Sequence, residues 1–384
     1  MISSKYTIRE QNEAKILNFI IQNKEISRAK LSELSKLNKA SVSSITKKLM
    51  DIELIFETRI GDSSNVGGRK PIMLSFNKKS SLLLALDIGY NYIEAALAYI
   101  DGTIVKSLSQ KDKLITSENA ISVIEETVRN LTADLPETPH GIVGMTLAIH
   151  GQVSNEEIIF TPYYDLDQLD LFTELGARYA FPIYLENEAN LSALGEYTFS
   201  SEYEKLIAIS MHSGIGAGIV ESGKLHLGKD GKAGEIGHTI FQPHGKACPC
   251  GNNGCLERYG ANEVIYDELR ELKGLEKVNS NVLVRYYEEN DPETFTLLRK
   301  YSDILSVGIN NIIMMYAPEI VVINSSITRK IPITIDFIKD RVKNRLATDV
   351  IIKNTSLGEN STLYGALAFT AQKYLNIERL KLGE

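Results

Sequence analysis

All three cysteines of the chain lie in Cys248-Pro249-Cys250-Gly251-Asn252-Asn253-Gly254-Cys255, and His238 stands ahead of them at the end of Gly234-Glu235-Ile236-Gly237-His238. Three thiolates and one imidazole can close a tetrahedral zinc site, which favours these ligand types and is complete at four. Such a metal is structural, because four protein ligands leave no open position for a catalytic water. The loop it would hold fixes Glu235 and Glu257 at its two ends. The C-x-C-x4-C spacing differs from the C-x2-C pair of common zinc fingers, so three free buried thiols stay open as the alternative reading of these residues. A disulfide is the weakest option, since one bridge among three cysteines strands the third thiol.

Two glycine-rich turns are the other places where chemistry could sit. Asp87-Ile88-Gly89 ends an apolar run that starts at Leu82, and His212-Ser213-Gly214-Ile215-Gly216-Ala217-Gly218 follows the run Leu206 to Ser210. Backbone amides in such turns can cradle phosphate, but glycine serves plain hairpins equally well, and neither turn alone identifies a phosphate site. The elements that must position these residues are strand-like runs at Leu82–Gly89, Ile93–Ile100, Gly141–Ile149, Ile183–Glu186, Leu206–Ser210 and Ile320–Ile323, with an Asp101-Gly102 hairpin turn. Helical segments between them predict an α/β body.

The head is different. Residues 1–79 carry 15 Lys and Arg against 8 Asp and Glu, a net of +7, while the rest of the 384-residue chain holds a net of −14. A basic module on an acidic body points to nucleic acid at one end only. Ile16, Leu17, Ile20 and Ile21 predict a helix from about Gln11 to Asn23, and Ser27 offers an N-cap to a second helix carrying Leu31 and Leu34. Asn38 can cap a third through Asp51, with Val42, Ile45 and Leu49 as its buried stripe. Lys39, Ala40, Ser41, Ser43, Ser44 and Lys47 are left on its outer face, where small polar and basic side chains suit close approach to a major groove. Arg28, in Ile26-Ser-Arg-Ala-Lys, is a further candidate DNA contact. Strand-like runs at Leu54–Ile60 and Ile72–Phe76 flank a tip ending in Gly68-Arg69-Lys70-Pro71, a cationic wing suited to phosphate contact or to a narrow minor groove. The bland alternative is a helical interaction module with a solvated basic face. Asn77-Lys78-Lys79-Ser80-Ser81 reads as a hinge to the body. No run of 18 or more apolar residues and no leader-like start is present, so the chain is expected in the cytoplasm, away from membranes.

Taken in order, Asp87-Ile-Gly89, Asn187-Glu188-Ala189-Asn190 with Glu196, Gly214-Ile-Gly216-Ala-Gly218, Gly231-Lys-Ala-Gly-Glu235-Ile-Gly-His238 and the cysteine loop through Leu256-Glu257 resemble the ROK family of repressors and sugar kinases. Ile26-Ser-Arg-Ala-Lys-Leu-Ser and Gly67-Gly-Arg-Lys-Pro71 resemble its repressor branch, nearest its xylose repressors. The resemblance implies a winged helix-turn-helix over residues 1–78, an α+β head, followed over 79–384 by an actin-like ATPase fold of two α/β lobes. The first lobe would run over about 82–195 plus the C-terminal helix, the second over about 196–362. It implies zinc on His238, Cys248, Cys250 and Cys255, and a sugar at Glu235, His238 and Glu257, with Asn187 and Glu188 completing the rim.

Family kinases carry an Asn-Asp pair whose aspartate is the base, where this chain has Asn187-Glu188. Displacing a base by about 1 Å can cost on the order of 100-fold in rate. Tyr90-Asn91 replaces Gly-Thr in the first phosphate turn, His212-Ser213-Gly214 replaces Gly-Thr-Gly in the second, and Asn324-Ser325-Ser326 replaces a nucleotide-side Gly-Gly. The expectation is therefore a non-enzymatic sensor: a repressor, homodimeric or homotetrameric, that binds a pseudo-palindromic double-stranded operator and is released by a small sugar inducer. Xylose enters by resemblance only. A sugar kinase fused to a DNA-binding domain and a repressor controlled by a protein partner are the competing readings.

Overall fold

Two strands that are apolar and buried along almost their whole length, Leu82–Gly89 and Lys205–Met211, organise the body. Burial on both faces marks a central strand of a sheet covered on each side. In a computed structural model, which describes residues 8–60 and 70–383, each of these strands is the middle member of its own five-stranded sheet.

The first sheet holds β4 (Leu82–Gly89), β5 (Tyr92–Tyr99), β6 (Ile104–Lys111), β7 (Ile142–Ile149) and β10 (Ile183–Asn187) in the order β10-β7-β4-β5-β6. The second holds β11 (Lys205–Met211), β12 (Ile215–Glu221), β13 (Lys224–Leu225), β14 (Ile320–Ser325) and β15 (Ile351–Asn354) in the order β13-β12-β11-β14-β15. In both, the first three strands form an antiparallel meander and the last two run parallel to the first. The body is one topology used twice. A small hairpin, β8 (Gln152–Ser154) and β9 (Glu157–Phe160), extends from the end of β7, and α4 (Ala120–Leu131) and α5 (Leu171–Gly176) complete the first lobe. The second lobe carries α7 (Glu257–Gly260), α8 (Asn262–Lys273), α9 (Ser280–Glu288), α10 (Pro292–Tyr316), α11 (Ser326–Lys330) and α12 (Ile333–Arg341).

Each sheet is followed by one long crossover helix, α6 (Glu188–Phe199) after β10 and α13 (Ser361–Leu375) after β15, and the two exchange sides. Helix α13 packs on β4 and β7 of the first sheet, whereas α6 packs on β11 and β12 of the second. The lobe boundary expected near residue 195 falls inside α6. Where the helices cross, Gly195 and Gly365 let the backbones touch: a Cβ on Gly365 would lie 1.7 Å from the Leu191 carbonyl oxygen, and one on Gly195 would lie 2.6 Å from that of Ser361. Ser192 and Ser361 join hydroxyls across the same crossing at 2.9 Å.

The head contains α1 (Ile8–Gln22), β1 (Ile26–Ser27), α2 (Arg28–Ser35), α3 (Lys39–Asp51), β2 (Ile55–Ile60) and β3 (Ile72–Phe76), with an antiparallel sheet in the order β1-β3-β2. Ser27 caps α2 through the Lys30 amide and Asn38 caps α3 through that of Ser41, both as the side-chain pattern predicts. Ile16, Leu17, Ile20, Leu31, Val42, Ile45, Leu49 and Leu74 form its core. Helix α1 begins earlier than its apolar periodicity, because its polar first turn is supported instead by an Arg9–Glu13 pair at i,i+4. The wing tip from Gly61 to Arg69 lies outside the described residues. The expected hinge is a pinned connection: Ser80 and Ser81 are fully buried, with their carbonyls taken by the amides of His140 and Ile100. His140 also places Nε2 2.7 Å from the Ile52 carbonyl at the end of α3 and stacks edge-on to Tyr374 of α13.

Candidate metal centre and ligand cleft

His238, Cys248, Cys250 and Cys255 converge: one ligand atom from each lies within 4.8 Å of all the others. Cys248 Sγ is 3.6 Å from His238 Nδ1 and Cys250 Sγ is 3.6 Å from Cys255 Sγ. A tetrahedral site with bonds of about 2.0–2.3 Å requires separations of roughly 3.5–3.8 Å between donors, which these two pairs meet, and the four groups could hold a metal ion of that geometry. The loop is held independently of a metal by bridges pairing Ile240 with Cys255 and Ala247 with Asn253. Gly254, at φ +84°, brings its backbone against the Gln242 carbonyl.

The loop forms one wall of a cleft between the lobes, a cavity of about 400 Å³. Its lining includes Asn187, Glu188, Glu235, His238 and Glu257, so all five expected sugar-contacting residues meet in one place. His238 turns Nδ1 to the cysteines and leaves Nε2 on the cleft side, 3.8 Å from Glu235 Oε2. Glu257 is buried behind it, with Oε1 accepting from Cys248 Sγ at 3.1 Å. Burial raises the Glu235 carboxyl above its ordinary range; nearby His238 offsets this and Glu257 adds to it.

The placement of Asn187 and Glu188 differs from the rim expected of them. Asn187 spends Oδ1 on capping α6 through the Asn190 amide and donates Nδ2 to the Gly151 carbonyl at 2.8 Å. Glu188 lies at the buried floor, where Oε1 accepts from Ser210 and Thr362 hydroxyls, both at 2.7 Å. The floor also holds groups that motif reading passed over. His150 Nε2 is 2.8 Å from Asp87 Oδ1 and 2.9 Å from Tyr92 Oη, and its ring meets that of His212 edge-on. Burial works against a charge on His150, but the Asp87 carboxylate, through charge and hydrogen bond, and Glu188 raise it to about 9. Burial would likewise raise Glu188; hydrogen bonding and charge from His212, the charge of His150 and the Ser210 hydroxyl carry it down to about 2. Asp87 and His212 belong to the two glycine-rich turns, whereas no motif singled out His150 or Tyr92. Tyr164 donates to the Ile88 carbonyl and accepts from the His150 amide, while Tyr163 donates to the Ser213 carbonyl across the cleft at 3.0 Å.

At the first glycine turn the Tyr92 ring packs over Gly89, 2.2 Å from where a Cβ would sit. In the head, Lys39, Ala40, Ser43, Ser44, Lys47 and Lys70 are exposed and Ser41 is half-buried at the cap of α3. Arg28 is half-buried, its guanidinium bonded to Thr46 Oγ1 at 3.1 Å and Glu57 Oε1 at 2.9 Å, joining α2, α3 and β2. Arg69 lies outside the described residues.

Two five-stranded lobes of one topology, crossed helices and a loop bearing one histidine and three cysteines on the intervening cleft define a class of bilobal proteins. The ROK family model matches residues 83–373, and the chain belongs to that family. It is 30% identical over 388 residues to the xylose repressor of Bacillus spizizenii, covering 99% of this chain and all of that one. Among solved structures it resembles a ROK family transcriptional regulator, a homologue of the E. coli MLC protein, with a TM-score of 0.82 at 24% identity over 97% of this chain and 99% of that one. A ROK family glucokinase from Streptomyces griseus in complex with glucose and AMPPNP matches at a TM-score of 0.69 and 22% identity, covering 76% of this chain and 99% of that one.

Proposed function

We propose that the chain is a sugar-responsive transcriptional repressor. The observation that carries this reading is the pairing, in one chain aligned end to end with a xylose repressor, of a basic helical head and a carboxylate-lined cleft. The head acts as a winged helix-turn-helix, with Lys39, Ser43, Ser44 and Lys47 of α3 facing the major groove and Lys70 at the wing contacting phosphate. A dimer or tetramer supplies two heads spaced about one helical turn, roughly 34 Å, on a pseudo-palindromic operator.

The inducer is a small sugar, with xylose first in line. Carboxylates at Glu235 and Glu257 accept from vicinal hydroxyls, and His238 presents Nε2 beside them. Zinc on His238, Cys248, Cys250 and Cys255 fixes this wall and the ring orientation of His238. The sugar acts by preferring the conformation that does not fit DNA, so DNA must weaken sugar binding by the same factor. Phosphoryl transfer is disfavoured by the Tyr92 ring over Gly89 and by the capture of Glu188 between Ser210 and Thr362.

Fluorescence anisotropy with labelled DNA from upstream of the chain's own gene tests the reading. Binding should saturate, weaken steeply with salt because lysines displace counterions, and be reversed by one sugar. Tight DNA binding that no sugar reverses would move control to a protein partner, and sugar-dependent ATP turnover would restore the kinase.

A further inference from the structure

The cleft does not end at the sugar wall. A second chamber of about 390 Å³ opens beside it and shares Tyr90, Tyr163, Ser213 and Glu257 with the first. Tyr163, hydrogen-bonded to the Ser213 carbonyl, stands as a post between the two. At about 30 Å³ per water the inner chamber holds roughly 13 waters' worth of space, enough for a pentose with its ten non-hydrogen atoms. The inner chamber alone accommodates one ring.

The outer chamber has complementary walls with unused hydrogen-bonding groups. On the metal-loop side, the Arg258 guanidinium makes no hydrogen bond or ion pair among the described residues, and its Nε is shielded from solvent without a partner. Lys246 lies over the Tyr259 ring, likewise with no carboxylate partner among the described residues. On the α8 side, Asp267 is paired with Arg270 and Glu268 with Lys300, but Glu263 and Glu271 make no hydrogen bond or ion pair among the described residues. A phosphorylated or acidic ligand would face Glu257, Glu263 and Glu271; an amine would face Arg258 and Lys246. A neutral polyol satisfies both walls at once, because each hydroxyl donates and accepts. Tyr90 and Tyr163 supply aromatic surface at the boundary, against which the apolar face of a sugar ring can lie. The bulky Tyr90 that departs from the kinase phosphate turn thus has a place in the wall.

We propose that the outer chamber is a second sugar subsite and that the effector is a neutral disaccharide or longer glycoside, one unit on the Glu188–Glu235–His238 floor and the next between Arg258 and Glu263. The inference rests on the reading of the inner chamber as a sugar site. Calorimetric titration of the full chain with xylose, glucose, xylobiose, cellobiose and maltose tests it. One disaccharide should bind about tenfold or more tighter than its monosaccharide. Arg258→Gln and, as an exposed second variant, Lys246→Ala should each lower that disaccharide's affinity by about five- to tenfold while leaving the monosaccharide within about twofold. Monosaccharide binding without any disaccharide gain, or an equal loss of both ligands in the variants, would overturn the second subsite alone. Binding of none of the five would overturn the sugar reading together with it.

Discussion

His150 is the residue whose neighbourhood is least usual: a cation inside a cleft, between Asp87 and Glu188. Because its folded value is raised to about 9, its contribution to stability is complete below the unfolded value near 6.5 and is lost as pH rises through about 9. Glu188, lowered to about 2, contributes above its unfolded value near 4.5 and loses that contribution only as pH falls toward 2. His150→Gln should therefore cost about 3–5 kcal/mol at pH 7, since it strands the Asp87 carboxylate. The gap from wild type should close toward pH 10. Denaturant unfolding of both proteins from pH 7 to 10 decides it; a constant gap would show that His150 is not charged in the folded protein. None of this was legible beforehand. Asp87 and His150 are far apart in sequence and meet because β4 and β7 run parallel with Ile88 beside Ile149, a register that no local motif announces. The Arg28–Glu57 pair was unreadable for the same reason, since the two residues lie two elements apart. The candidate metal loop was readable because its histidine and three cysteines lie close together in one segment.

At the level of elements, local chemistry was a reliable guide wherever a side chain reports on its own backbone. Ser27 and Asn38 cap the helices that their positions predict, and the alternating run from Ile72 forms the strand. The exchange of α6 and α13 was not readable, because a helix buried almost all round carries no stripe to say which sheet it covers. The crossing gives a sharp test. Gly365→Ala puts a methyl group into the Leu191 carbonyl, and we expect a loss of about 2–4 kcal/mol, beyond what overpacking costs where side chains can yield. Thermal unfolding measures it. A Tm within a degree of wild type would mean that the helices separate without penalty. The fault should also appear in sugar response, since Glu188 at the edge of this contact is bonded to Thr362 of α13.

For the whole molecule, the head and the body share an apolar cluster and, among the described residues, also meet through His140 to Ile52, Lys78 beside Asp101 at 3.8 Å, and the buried Ser80-Ser81 connection. This joint ties the end of α3 to the first lobe. The C-terminal helix is the other partner of His140, through Tyr374, and it is also a face of the first lobe's core. A nonsense codon at position 361 would leave every proposed DNA contact, every metal ligand and all five inner-cleft residues encoded. It would nonetheless uncover β4 and β7, where α13 lies in the intact chain. In a genetic screen such late truncations should score as full loss of repression, indistinguishable from early stops, with little protein detectable by immunoblot. An allele of that kind that still repressed would show that the first lobe folds without its last helix. A carboxy-terminal fusion that displaced α13 should fail in the same way.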